Sequence, residues 1–404
     1  MTNSSSIYSN PLDGGMPVFR HITPPLRLFS GSNSLEQLSR ELRRGECQRA
    51  LILCGSSLAR EESLIGMVQS ALGDRCVGVF SGVRAHSPVS AVEAVAEELL
   101  RVKADSVVAV GGGSAIVTAR AASIMVAENC DLKRLATWRD EKGDLKSPKL
   151  MAPKMPQFVV PTTPTTAIVK AGSAVLDEEE QDRLALYDPK TRALSVFIHP
   201  SMVDSAPASL IISASLNTFS MAIEGLTSRM GDPLSDALLM HALRLLSIHL
   251  TNPSGIESST VRSELVLAAI LCGQGTDYTG AGITTVLGHA IGGRFDVENG
   301  IVNAILLPHV IRFNADACED RLPKVLSALG ETSHECESIV ESLVPSFHSI
   351  FQGLGIPRRL RDIGVARSAL SDIAESAMGD WFLKGNPRPV QNAGELNKIL
   401  EEAW

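Results

Sequence analysis

Four residues, Gly111-Gly112-Gly113-Ser114, follow the apolar run DSVVAV (105–110) and precede an Ala-rich helical stretch in this 404-residue chain. A strand that delivers glycines to a helix start places free backbone N–H groups, at the positive end of the helix dipole, where they suit a phosphate. Ser114 adds a hydroxyl, as N-cap or as donor. The run is not GxGxxG, so alone it reads either as a phosphate cradle or as a plain tight turn. The other reactive side chains are scattered. The seven cysteines include no CxxC pair, which argues for reduced thiols and against a disulfide frame or zinc-thiolate site. Cys54 and Cys272 lie in apolar contexts without a partner spacing that marks a nucleophile. His241 and His249 are eight residues apart, too far for an i, i+4 metal pair, and read as core or boundary histidines. His309 reads as structural, and Glu178–Glu180 with Asp182 as a solvated acidic turn.

These groups need elements to position them. Residues 50–54, 77–80, 105–110 and 157–160 read as short buried strands. Residues 63–72, 88–102 and 115–128 have helical spacing, so the pattern is a parallel sheet covered on both faces. Residues 131–156 carry charges and three prolines and read as an exposed excursion. From 209 to 247, 261 to 275 and 281 to 314 the segments are long and helical. The expected organisation is a flexible segment over 1–24, an α/β domain over 25–205 and an all-helical domain over 206–404. Chemistry is expected in the cleft between the two.

Composition removes several classes. A net charge of −8 with only 3 Trp and 3 Tyr offers no nucleic-acid surface. No apolar run is expected to reach the roughly 20 residues a membrane span needs. The polar N-terminus lacks a signal pattern. The expectation is a cytoplasmic protein that handles a small molecule, with no nucleic-acid or membrane partner.

Several stretches occur in an order that resembles the iron-containing alcohol dehydrogenase superfamily: SGVRAHSP (81–88), VVAVGGGSAIVTARA (107–121), VVPTT (159–163), AVLDEEE (174–180), MAIEG (221–225), GHAIGGRFDVENGIVNAILLPHVIRFN (288–314) and NPRP (386–389). The run 84–88, the Leu216-Asn217 pair and the closing ILEEAW (399–404) are similar to its maleylacetate reductase branch. The resemblance covers the chain from about residue 25 onward. It implies a dehydroquinate synthase-like fold, with a dinucleotide-binding α/β domain, a helical domain, a nicotinamide cofactor in the cleft and a homodimer. Gly111, Gly112, Gly113 and Ser114 would hold the pyrophosphate, and Thr162 and Thr163 would lie along the adenosine–phosphate path. Gly55 stands about where NAD-preferring members often carry an Asp. Its loss, with Ser56, Ser57 and Arg60 nearby, tilts the expectation toward NADPH over NADH.

The resemblance also shows what is missing. Metal-using members bind the ion through one Asp and three His. At those positions this chain has Asn217, Met221, Thr285 and Asn299. Neutral amides, a hydroxyl and a thioether are poor ligands for iron or zinc, so no metal is expected. Asp296, Glu298 and His289 would hold one only in a different geometry. Val117 and Arg120 replace an Asp and a Lys that often follow the glycine turn, and residues 164–168 replace a G-T-G-S-E-like run. Carbonyl reduction without a Lewis acid needs a proton donor, and His289 is the natural one. Asn217, Thr285 and Asn299 would orient the carbonyl oxygen, while Arg294 and Lys170 are candidates to clamp a carboxylate. The expected activity is metal-independent, NAD(P)H-dependent reduction of a ketone, enone or oxo-acid. The alternatives are a non-redox lyase, isomerase or cyclase on the same scaffold, and a non-catalytic binding subunit.

Overall fold

The computed structural model describes residues 19–141, 145–180, 182–331 and 338–404. Most of the expected flexible segment, residues 1–18, lies outside these. Residues 19–24 are docked: His21 stacks on Tyr278 at 4.2 Å and hydrogen-bonds Asp232 at 3.2 Å.

Six parallel strands form the sheet: β1 (Arg27–Ser30), β2 (Ala50–Gly55), β3 (Cys76–Val83), β4 (Ser106–Gly111), β5 (Gln157–Pro161) and β8 (Ala193–Ile198), in the order β1-β8-β5-β4-β2-β3. Between β5 and β8 an antiparallel hairpin, β6 (Gly172–Asp177) and β7 (Asp182–Tyr187), stands apart from it. Alternate residues of the central strands enter different cores. Leu51, Leu53, Val107, Ala109 and Val159 pack against Val92, Val95 and Leu99 of α3 (Val89–Arg101). Ile52, Cys54, Val108, Val110 and Phe158 pack against Leu38 and Leu42 of α1 (Leu38–Arg44) and Ile65, Val68 and Leu72 of α2 (Glu62–Leu72). Burial on both faces is why these strands are continuous apolar runs rather than alternating ones.

The sequence reading omits β1, β8 and the hairpin. Strand β1 alternates half-buried and exposed residues at the sheet edge, and β8 breaks its apolar run with Ser195, buried and hydrogen-bonded to Glu41 at 2.7 Å. The excursion 131–156 is anchored as well as exposed. Trp138 and Met151 face solvent, but the Lys154 ammonium is buried between Glu128 and Asp188.

Beyond residue 207 the described elements are helical: α5 (Ala208–Thr227), α6 (Pro233–Leu250), α7 (Ser259–Thr279), α8 (Ile283–Phe295) and α9 (Asn299–Asn314), followed by further helices. Helix α4 (Gly113–Glu128) belongs to the sheet half. Helix α5 corrects one expectation: its 20 residues are long and apolar enough to cross a membrane by length and composition. Of its most apolar 18-residue window 78% is buried inside the protein, so its apolar surface is already covered by the helices around it. His241 is exposed rather than core, and His249 bonds Glu264 at 2.5 Å.

Helices α5 and α9 meet where a Cβ on Gly300 would stand 1.8 Å from the Ser213 carbonyl oxygen. Gly300→Ala must push the helices apart, and we expect a cost of about 1–3 kcal/mol, read as a lower urea midpoint. An unchanged midpoint contradicts this packing.

Candidate functional site

The chain enters the sheet through β1 and β2, moves outward to β3, then returns across β2 to β4. The strand order therefore reverses between β2 and β4, and the crevice beyond their carboxyl ends is where open α/β sheets bind ligands. A cleft of about 870 Å³ opens there, walled by the ends of β2, β4 and β5 on one side and by α5, α8 and α9 on the other.

The glycine turn forms its floor. Gly111 has φ +145°, and a Cβ on Gly112 would lie 2.8 Å from Thr163 Oγ1. Bulk is thus excluded where backbone must come close to a ligand. The N-cap of α4 is Gly112, with no side-chain cap, so Ser114 is not the N-cap, and the first N–H groups of α4 stay available to an anion. Ser114 is tied instead through its carbonyl, which accepts from Ser87 Oγ at 3.1 Å. His86 and Ser87 both take positive φ, 61° and 50°. Two adjacent non-glycine residues in that region bend the loop 84–88 over the turn, a strain that sites commonly carry. Thr162 and Thr163 line the cleft with all four turn residues. Such a cradle fits the pyrophosphate of a dinucleotide.

Ser56 is a correction: it is exposed and is not among the described lining residues, whereas Gly55, Ser57 and Glu61 are. Arg60 is likewise outside. Val117 lines the cleft, but Arg120 is fully buried, donating to the carbonyls of Ala167 (2.7 Å) and Gly172, and burial lowers its pKa to about 9.

Opposite the turn, His289 on α8 lines the cleft with Asn217 and Asn299. Its Nδ1 lies 3.1 Å from Asp380 Oδ2, and the other oxygen, Oδ1, accepts from the Phe382 backbone N–H at 2.9 Å. Phe382 packs against the imidazole with centroids 5.9 Å apart. A carboxylate fixed by its own loop therefore holds Nδ1 and the ring plane, which leaves Nε2 as the exchangeable end. Sequence reasoning missed Asp380, whose only signal is its place just before NPRP.

Asn217 and Met221 share one face of α5, and the Asn217 amide meets Asn303 at 3.0 Å and Met221 Sδ at 3.7 Å. Thr285 is a second correction. It is 2% exposed, and its hydroxyl donates to Glu224 Oε2 at 2.6 Å, so it has no free donor to orient a substrate carbonyl. Asn299 Oδ1 is buried without a partner among the described residues. Asp296, Glu298 and His289 all line the cleft. Among the described residues, however, no three His, Cys, Asp or Glu side chains come together as a metal set. The residues at the family's ligand positions do not fit iron. Lys170 and Arg294 are not at the cleft: Lys170 bonds Asp277 (3.2 Å) and Thr276 (2.8 Å), and Arg294 lies exposed beside Asp372.

Glu224 explains the stretch MAIEG. Helix α8 starts at the N-cap Gly282 with no side-chain cap of its own. Glu224, reaching from α5, accepts from Thr284 N (2.6 Å), Thr285 N (3.3 Å) and the Thr285 hydroxyl. Burial pushes its pKa up, and these donors work against that rise.

The comparisons agree with this architecture. The model of the family "Iron-containing alcohol dehydrogenase" matches residues 25–200, and that of "Fe-containing alcohol dehydrogenase family, C-terminal" matches residues 211–404. The chain belongs to the iron-containing alcohol dehydrogenase family, a family of oxidoreductases. It is 27% identical over 380 residues to lactaldehyde reductase of Escherichia coli (strain K12), covering 93% of this chain and 97% of that one. It is 27% identical to the NADPH-dependent butanol dehydrogenase of Clostridium saccharobutylicum, covering 94% and 96%. Among solved structures, a 1,3-propanediol oxidoreductase superposes with TM-score 0.87 at 23% identity, covering 96% of this chain and all (100%) of that one. The maleylacetate reductase of Agrobacterium tumefaciens gives 0.76 at 23%, covering 96% and 99%.

Removing the Glu224 carboxylate strands buried N–H groups. Glu224→Ala is expected to cost about 2–3 kcal/mol, seen as a lower Tm, with Glu224→Gln much milder. Equal Tm values for Ala and wild type contradict the capping role.

Proposed function

We propose that this protein is a metal-independent, nicotinamide-dependent reductase of a small carbonyl compound, with His289 as proton donor. The observation that carries the reading is one cleft with a dinucleotide cradle on its sheet wall and the His289–Asp380 pair on its helical wall. A bound reduced nicotinamide supplies hydride, two electrons and one hydrogen, to the carbonyl carbon. The chain's own residues do the rest. The α4 N-terminus and the glycine turn hold the phosphates, and Asn217 and Asn299 meet the substrate oxygen. His289 gives that oxygen its proton, so a carbonyl becomes an alcohol and the histidine recovers its proton from water. Hydrogen-bond donors and an imidazolium take the role a Lewis acid has in metal-using relatives.

The adenosine end refines the nucleotide expectation. Arg60 lies away from the cleft while Glu61 lines it, and a carboxylate there accepts ribose hydroxyls and repels a 2′-phosphate. We therefore favour NADH over NADPH.

Calorimetry on chelator-treated protein tests the reading. It should bind NADH more tightly than NADPH, and Gly112→Val should weaken binding at least about tenfold. His289→Gln should lower kcat by about 10²–10⁴ without weakening nucleotide binding, with Asp380→Asn intermediate. Absence of nicotinamide binding defeats the reading, and conversion of substrate without nicotinamide would favour a non-redox enzyme on this scaffold.

A further inference from the structure

Arg183 is a cation of the cleft to which the reductase reading gives no task. It sits on β7, opposite Leu176 in the hairpin register, half-buried and lining the same cavity as His289 and Asn217. Among the described residues its guanidinium has no hydrogen-bond acceptor and no carboxylate within 4.0 Å. Asp380 and Asp182 attract it only from beyond that distance, and burial lowers its pKa. A half-buried guanidinium without a partner in a cleft is open to an anion, and its planar fork matches a carboxylate.

Its position says which anion it awaits. The phosphate cradle is at the α4 N-terminus on the sheet, whereas Arg183 is attracted by Asp380, the carboxylate that also holds the imidazole of His289. It therefore belongs to the catalytic end of the cleft.

We propose that Arg183 anchors a carboxylate of the substrate, so that the natural substrate is an oxo-acid rather than a neutral ketone or aldehyde. This deepens the reductase reading and rests on it. With the carboxylate on Arg183, the oxo group is placed toward His289 and the two amides. Lys170 and Arg294 leave this role open, since both lie elsewhere.

The test is calorimetric titration of the NADH-saturated protein with short-chain oxo-acids and with their methyl esters. At least one acid should bind about 30-fold or more tighter than its ester. Arg183→Met should bring the two within about threefold, Arg183→Lys should retain part of the preference, and NADH affinity should change less than about twofold. Acid and ester binding equally to wild type overturns the proposal. So does loss of NADH affinity in Arg183→Met, which would give the guanidinium to the nucleotide. Binding requires no turnover. If acids bind through Arg183 but NADH is never oxidised, the carboxylate site stands and the reductase reading falls.

Discussion

A buried carboxylate at a helix start holds the helical wall of the cleft together. Glu224 leaves α5 and takes the free N–H groups of α8, the helix that presents His289 two turns later. Asn386, the first residue of NPRP, adds a weaker bond to Ile283 N at 3.4 Å and pairs with Asn314 at the end of α9 through bonds of 2.7 and 3.0 Å. Helices α5, α8 and α9 and the segment carrying Asp380 are thereby fixed to one another by polar contacts that water cannot replace. Two family stretches, MAIEG and NPRP, turn out to be scaffold for the imidazole rather than contacts to ligand.

The opposite wall depends on close approach instead of on charge. The glycine turn presses against Thr163 and Thr165 so tightly that a Cβ on Gly112 or Gly113 would stand 2.8 or 3.2 Å from a threonine hydroxyl. Backbone N–H groups at the switch point of the sheet are therefore exposed to the cleft with no side chain over them. The two walls divide the work: the sheet offers dipoles suited to phosphate, and the helices offer an imidazole with a fixed orientation. Of the side chains at the positions that the family resemblance gives to metal ligands, Asn217, Met221 and Thr285 have other partners. Thr285 serves Glu224, and Met221 Sδ faces the hydroxyl of Thr166 at 3.8 Å and the Asn217 amide.

Much of this was legible in the chain. Central strands and the helices between them show in their apolar runs because burial on both faces demands it. The glycine turn and His289 show through motif order. What stayed hidden depends on tertiary contact. Edge strand β1 and the serine-bearing β8 have weak patterns. Asp380 is one acid among many until folding brings it to His289, 91 residues away. Thr285 looked free because its partner Glu224 lies 61 residues back. Arg183 directly follows the stretch that reads as an acidic surface turn and carries no signal of its own, and only the hairpin's approach to the cleft brings it to the site. Ser56 and Arg60 sit beside the adenosine end in sequence, but the single turn Ser56–Ala59 aims Ser57 inward instead.

The most direct measurement is isotopic. Chelator-treated protein, given nicotinamide nucleotide deuterated at the transferable position and a set of small oxo-acids, should yield a hydroxy-acid carrying one deuterium on the carbinol carbon. Mass spectrometry should find one deuterium per nucleotide oxidised. Product without deuterium, or deuterium transfer that begins only when iron or zinc is restored, contradicts the account.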